Sequence, residues 1–301
     1  MSTIEKALAK QKSKKAEKAE EQNVHQEAIE TTQKETPEQA PEQDIAQGVV
    51  TANETANDRC LNLDKESLNN RGFLIDTGTR KSIKDEFRTI KRKLLNNAFG
   101  SGARTLKNSN LIMVSSSKPN EGKTFISINL ALSIALEQDK TVLLVDADVL
   151  RPSVNRELGL EQTPGLIEYL LGQHDSIGDM LYSTNVDKLK LIPAGEPHHL
   201  SNELLASDRM AALAQELADR YPDRVVIFDC PPLIGVTETP VLANLMGQAV
   251  IVAEESKTLI ADVKQATEPL NEDMAVGIVL NKAIRSHKDM YGYYGYGYGT
   301  K

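Results

Sequence analysis

The chain has 301 residues, a formal net charge of −8, 4% aromatic residues and no tryptophan. That length admits one large α/β domain with flanking segments, or two small domains, with a core made of Leu, Ile, Val and Ala. The acidic balance excludes nonspecific binding of the whole molecule to nucleic acid or anionic lipid and leaves room only for a local basic patch.

Cys60 and Cys230 lie far apart and form no CxxC or metal-type spacing, which points to a reduced compartment. No apolar run reaches the roughly 20 residues of a spanning helix, and MSTIEKALAKQKSKK lacks the apolar stretch of a signal peptide. A soluble, cytoplasmic protein is expected, with any membrane location supplied by a partner.

In chain order, residues 1–70 are rich in Lys, Glu, Gln, Ala and Thr and poor in large apolar side chains. Such a segment cannot offset its chain entropy by burial, so it reads as disordered or transiently helical. A folded domain is expected over 71–284. Its first helix, SIKDEFRTIKRKLLNNAF, puts Ile83, Phe87, Ile90 and Leu94 on one face, with Lys84, Arg88, Lys91 and Arg92 on an exposed basic side.

Continuous apolar runs then alternate with helical stretches. Strands are predicted over 110–117, 141–148, 188–195, 224–232, 248–254 and 276–282. Val/Ile/Leu runs without alternation mark strands covered on both faces, and strand-helix alternation marks a parallel sheet. The predicted fold is therefore α/β with a mostly parallel sheet flanked by helices.

The first of these strands runs into SKPNEGKT (Ser117 to Thr124) and then directly into an apolar helix. This is the P-loop pattern GxxxxGK[ST], with Ser at the first glycine position. Backbone amides of Lys118, Pro119's successor Asn120, Glu121 and Gly122 would face phosphate, and the helix N-terminus adds its positive dipole end. Lys123 would reach the β- and γ-phosphates, and the Thr124 hydroxyl would ligate Mg²⁺. Lys118 is open between its own site, a neighbour's site and solvent. VLLVDAD and VVIFDCPP bring Asp146, Asp148 and Asp229 to strand ends, where the ligand crevice of such sheets lies. Carboxylates there hold hydrated Mg²⁺ or accept a proton. Cys230 reads as a packing residue, and His198 and His199 as loop surface. The chain ends in a glycine-spaced tail over 285–301 that holds Tyr291, Tyr293, Tyr294, Tyr296 and Tyr298.

Together SKPNEGKT, LLVDADVLRP and VIFDCPP resemble the Walker A, A′ and B motifs of bacterial tyrosine kinases, the P-loop enzymes of capsule and exopolysaccharide export. PGLIEYLLG, LIPAG and NELLASDRM extend the resemblance over most of 75–301, and DEFRTIKRKLL looks closest to exosortase-associated autokinases. The resemblance implies ATP- and Mg²⁺-dependent autophosphorylation of the five tail tyrosines. It gives Thr124, Asp148 and Asp229 to the metal, Asp146 to the tyrosine hydroxyl, and Asn281 to the nucleotide. Asp85, Arg88 and Lys91 match an acidic-x2-Arg-x2-Arg motif for ring-like homo-oligomers of the unphosphorylated form, although lysine lacks arginine's bidentate fork. A membrane polysaccharide copolymerase or chain-length regulator is the implied partner. An alternative reading is a partition- or division-site-type ATPase working as a nucleotide-dependent dimer. Lys118 favours that reading and the tyrosine tail opposes it.

Overall fold

The computed structural model describes residues 59–75, 81–100, 103–220 and 223–284. The tyrosine cluster and the first 58 residues lie outside them.

Among the described residues, eight strands form one sheet. They are β1 (Cys60–Leu61), β2 (Leu111–Ser116), β3 (Thr141–Asp146), β4 (Tyr182–Thr184), β5 (Leu189–Ile192), β6 (Arg224–Asp229), β7 (Gln248–Glu254) and β8 (Ala275–Asn281). Their spatial order is β1-β4-β5-β3-β6-β2-β7-β8. Every neighbouring pair is parallel except β4 with β5. The central strands β2, β6 and β7 are buried at every residue, their apolar centres as a sheet covered on both faces requires and their polar ends with them.

Helices cover both faces. Helices α1 (Lys65–Asn70), α2 (Lys81–Phe99) and α3 (Lys123–Ala135) precede α4 (Val154–Leu158), α5 (Leu166–Leu170), α6 (Ser201–Leu205) and α7 (Asp208–Asp219), with α8 (Glu238–Ala243) and α9 (Ile260–Thr267) last. Helix α3 is apolar around its circumference and is buried at every position but Phe125, because it lies between the sheet and α2. Phe87 and Leu94 of α2 are buried and Ile83 and Ile90 half-buried against the same core, as their spacing predicts.

Two expectations fail here. Residues 59–70, assigned by composition to the N-terminal segment, carry β1 and α1, with Leu63 and Leu68 buried. Their few leucines lack local partners. The Asn185 side chain takes the Leu63 amide at 3.0 Å and donates to its carbonyl at 3.0 Å, tying the segment to the distant β4 edge. Lys91 also departs from the expected basic exposed side. It is buried, with Nζ donating to Ser133 O at 2.8 Å and paired with Glu137 Oε1 at 2.6 Å, so its charge serves the α2–α3 packing.

Register then builds the site. Asp146 of β3 pairs in register with Asp229 of β6, and Val114 of β2 pairs with the same Asp229. The carboxylates and the loop leaving β2 therefore share the C-terminal edge of the sheet.

Candidate active site

The loop between Ser116 and α3 turns through two left-handed residues, Asn120 (φ 68°) and Gly122 (φ 95°). Gly122 is required twice over, since a Cβ there would also collide with the Asn281 side-chain amide. Side chains hold the turn from within. Ser116 Oγ donates to Lys118 O at 2.7 Å, and Glu121 Oε2 accepts from Lys118 N at 2.8 Å. From outside, Asn281 Nδ2 donates to Glu121 O at 2.9 Å, and Thr258 Oγ1 donates to Glu121 Oε1. The Glu121 carboxylate is thus turned back on its own loop, leaving backbone as its contribution to any anion site.

At the start of α3, whose first amides have no intrahelical acceptor, the functional side chains converge. Lys123 Nζ lies 2.5 Å from Asp148 Oδ2. Thr124 Oγ1 donates to Asp229 Oδ2 at 2.6 Å and sits 2.7 Å from Ser153 Oγ. Ser127, one turn along α3, donates to the other Asp229 oxygen at 3.0 Å. Asp146 accepts the amides of Asp148, Ser153 and Val154 at 3.0–3.2 Å, so it shapes the segment that presents Asp148 and Ser153.

These charges perturb one another. Burial, with the Asp229 charge next, pushes the Asp146 carboxyl up to about 8, and burial raises Asp229 as well. Burial opposes the charge on Lys123, but Asp229 and Asp148 outweigh it, so its pKa is raised. Burial also raises the Cys230 thiol, which packs at 0% exposure as its sequence position suggested.

A cavity of about 410 Å³ opens over this cluster, lined by Pro119, Asn120, Gly122, Lys123, Thr124, Asp148, Arg151, Ser153 and Lys282 among others. The donor set fits a magnesium nucleotide. It combines the ammonium groups of Lys123 and Lys282, a helix N-terminus and hard oxygen atoms of Thr124 and Asp148, with Asp229 behind Thr124, that could hold the metal. The buried Ser117 hydroxyl in the loop has no hydrogen-bond partner. Among the described residues no cluster of three or more His, Cys, Asp or Glu forms a ready metal cage. Mg²⁺ needs none, because it is usually held by one or two carboxylates together with phosphate oxygens and water.

Lys118 is turned out of this cluster and pairs with Asp262 Oδ2 at 2.6 Å, near the start of α9. Asp85 and Arg88 pair with each other at 2.8 Å on an exposed face of α2, without Lys91. Asn281 meets the loop backbone at the Glu121 carbonyl. Ser153, Ser127, Thr258 and Lys282 are site residues that sequence reasoning missed. Ser153 follows LLVDADVLRP closely and was within reach of the motif, whereas Thr258 and Lys282 join the site only through the sheet.

Comparison with known proteins gives the family. A family model described as an AAA domain matches residues 109–290. Tyrosine-protein kinase YwqD of Bacillus subtilis (strain 168) is 32% identical over 227 residues, covering 75% of this chain and 92% of the relative. The chain belongs to the bacterial tyrosine kinases. This kinase is also 30% identical over 194 residues to tyrosine-protein kinase wzc of Salmonella typhimurium, covering 63% of this chain but only 26% of that longer protein. The solved kinase domain of Escherichia coli tyrosine kinase ETK superposes with a TM-score of 0.61 at 25% identity, covering 75% of this chain and 84% of the other. The P-loop fold and the protein-tyrosine kinase class expected from the motifs are thereby established.

Proposed function

We propose that this kinase transfers the γ-phosphoryl group of Mg²⁺·ATP to its own Tyr291, Tyr293, Tyr294, Tyr296 and Tyr298, and so regulates exopolysaccharide biosynthesis or export. The observation that carries this reading is the meeting of Lys123, Thr124 and Asp148 in the wall of one cavity beside the α3 N-terminus, with Asp229 buried behind Thr124 and Asp146 in register with Asp229.

In this reading Lys123 leaves Asp148 for the β- and γ-phosphates, and the loop amides and α3 N-terminus take the remaining phosphate oxygens. Thr124, Asp148 and Asp229 hold Mg²⁺, which when bound supplies charge neutralisation at the β- and γ-phosphate oxygens. A tyrosine Oη forms the new bond to the γ-phosphorus as the bond to the β-γ bridging oxygen breaks. ADP leaves with that electron pair, and the phenol proton passes to Asp146.

The stretch from Ala283 to the C-terminus spans on the order of 60 Å when extended, at roughly 3.3 Å per residue, so a neighbouring subunit's site is within reach. Unphosphorylated subunits associate through the exposed Asp85 and Arg88. A membrane polysaccharide copolymerase or chain-length regulator supplies an activating cytosolic segment and recruits the kinase to the inner membrane face. No helix among the described residues is long and apolar enough to cross a membrane.

Intact and tryptic mass analysis after incubation with Mg²⁺·ATP tests the reading, with Lys123→Met as the control. Phosphate increments confined to the tail peptide and absent from the variant are expected. ATP hydrolysis with an unmodified tail, in protein taken from its native cells, would overturn it.

A further inference from the structure

The phosphate loop is anchored by the residues at which the domain gives way to the tail. Lys282, the residue after β8, donates from Nζ to Asn120 O at 2.7 Å and to Glu254 Oε2 at 2.8 Å. Both Lys282 (φ 57°) and Asn120 (φ 68°) hold left-handed backbone conformations that cost energy for any residue with a Cβ. Such conformations persist where the surroundings over-determine them. Here one ammonium group joins the two strained residues, and neighbouring contacts repeat the link: Asn281 holds Glu121 O, while Thr258 bridges the Glu121 carboxylate and Glu254 N. Ile284 N, on the far side of Lys282, is held by Glu255 Oε2 at 2.8 Å.

We propose that Lys282 is a positioning residue for nucleotide binding. By gripping the Asn120 carbonyl it holds the phosphate loop in its binding-competent turn, and it couples that turn to the root of the tail. The inference rests on the nucleotide reading given above. If the loop must otherwise find its turn from a broader ensemble, apparent affinity falls by the fraction of molecules that are competent. The residue lies on the strand bearing Asn281 but acts through Asn120, so the shape of the free loop should depend on it.

The test uses the full chain and the magnesium complex of a non-hydrolysable ATP analogue. Calorimetry measures its affinity, and hydrogen exchange of residues 117–124 is followed in the nucleotide-free protein. Lys282→Met is expected to weaken binding by about tenfold and to speed loop exchange by a similar factor. Lys282→Arg, which retains a cationic donor, should restore most of both, a rescue that a general loss of folding would not show. Unchanged affinity and exchange in Lys282→Met would overturn the proposal. So would weakened binding with unchanged exchange of the free loop, because Lys282 would then act on the nucleotide itself. Failure of the unaltered protein to bind the analogue would instead overturn the nucleotide reading, so the two failures are distinguishable.

Discussion

Lys123 Nζ and Asp148 Oδ2 stand 2.5 Å apart inside the cavity that the P-loop frames, so the ammonium group expected to meet phosphate is already neutralised by an expected metal ligand. Nucleotide must break this pair while the metal takes over Asp148. Asp148→Asn should therefore free Lys123 and tighten metal-free ADP binding, while lowering Mg²⁺-dependent phosphotransfer by about 10² or more. Titration calorimetry with and without chelator, beside a kinase assay, checks both halves. Equal losses with and without metal would show that the pair does not compete with nucleotide.

The Thr124 hydroxyl is shared by Asp229 at 2.6 Å and Ser153 at 2.7 Å. Thr124→Ala leaves a fully buried carboxyl with one donor fewer, at a cost of about 1–3 kcal/mol in stability. Phosphotransfer should fall more than tenfold, and Thr124→Ser should recover most of both. Denaturant unfolding and steady-state kinetics of the two variants provide the comparison.

Lys91 and Arg88 sit three residues apart on α2 but have different fates. Lys91→Met removes the buried donor to Ser133 O and strands Glu137, so a loss of about 1–3 kcal/mol is expected. Arg88→Glu breaks an exposed pair and should change stability by no more than about 0.5 kcal/mol. Sedimentation of Arg88→Glu should nevertheless show fewer oligomers. If Lys91→Met alone altered assembly at full stability, the interface would have to include Lys91.

Hydrogen bonds from Lys257 and Lys282 hold the Glu254 carboxyl below its ordinary value of 4.5. The unfolded chain therefore binds the proton first as pH falls. The ion pairs contribute fully above pH 4.5, and their contribution is lost as pH drops through the lower folded-state value. Glu254→Gln should lower the melting temperature slightly and by a constant amount from neutral pH down to about 4.5, and the difference should vanish in stronger acid. A difference that grew with acidity would contradict this sign.

Phosphorylation adds roughly −1.5 to −2 charges per tyrosine, about eight to ten for the five tail tyrosines. Such tails repel one another. Phosphorylated protein should sediment closer to monomer than phosphatase-treated protein, and identical distributions would refute this coupling.

The sequence alone determined the enzyme class and the class of fold. Unbroken apolar runs can be satisfied only by strands covered on both faces, and a Gly-Lys-Thr turn between such a strand and an apolar helix has few uses besides cradling phosphate. These are local signals, complete within about ten residues. The tertiary structure decided which distant residues complete the site. Register aligned Asp146 with Asp229, and β8 delivered Asn281 and Lys282 to a loop some 160 residues earlier. It also buried Lys91 and recruited Leu63 and Leu68 into the fold, although their own neighbourhoods are polar. A side chain's burial and hydrogen-bond partner depend on which surface lies opposite it, and that surface comes from elsewhere in the chain.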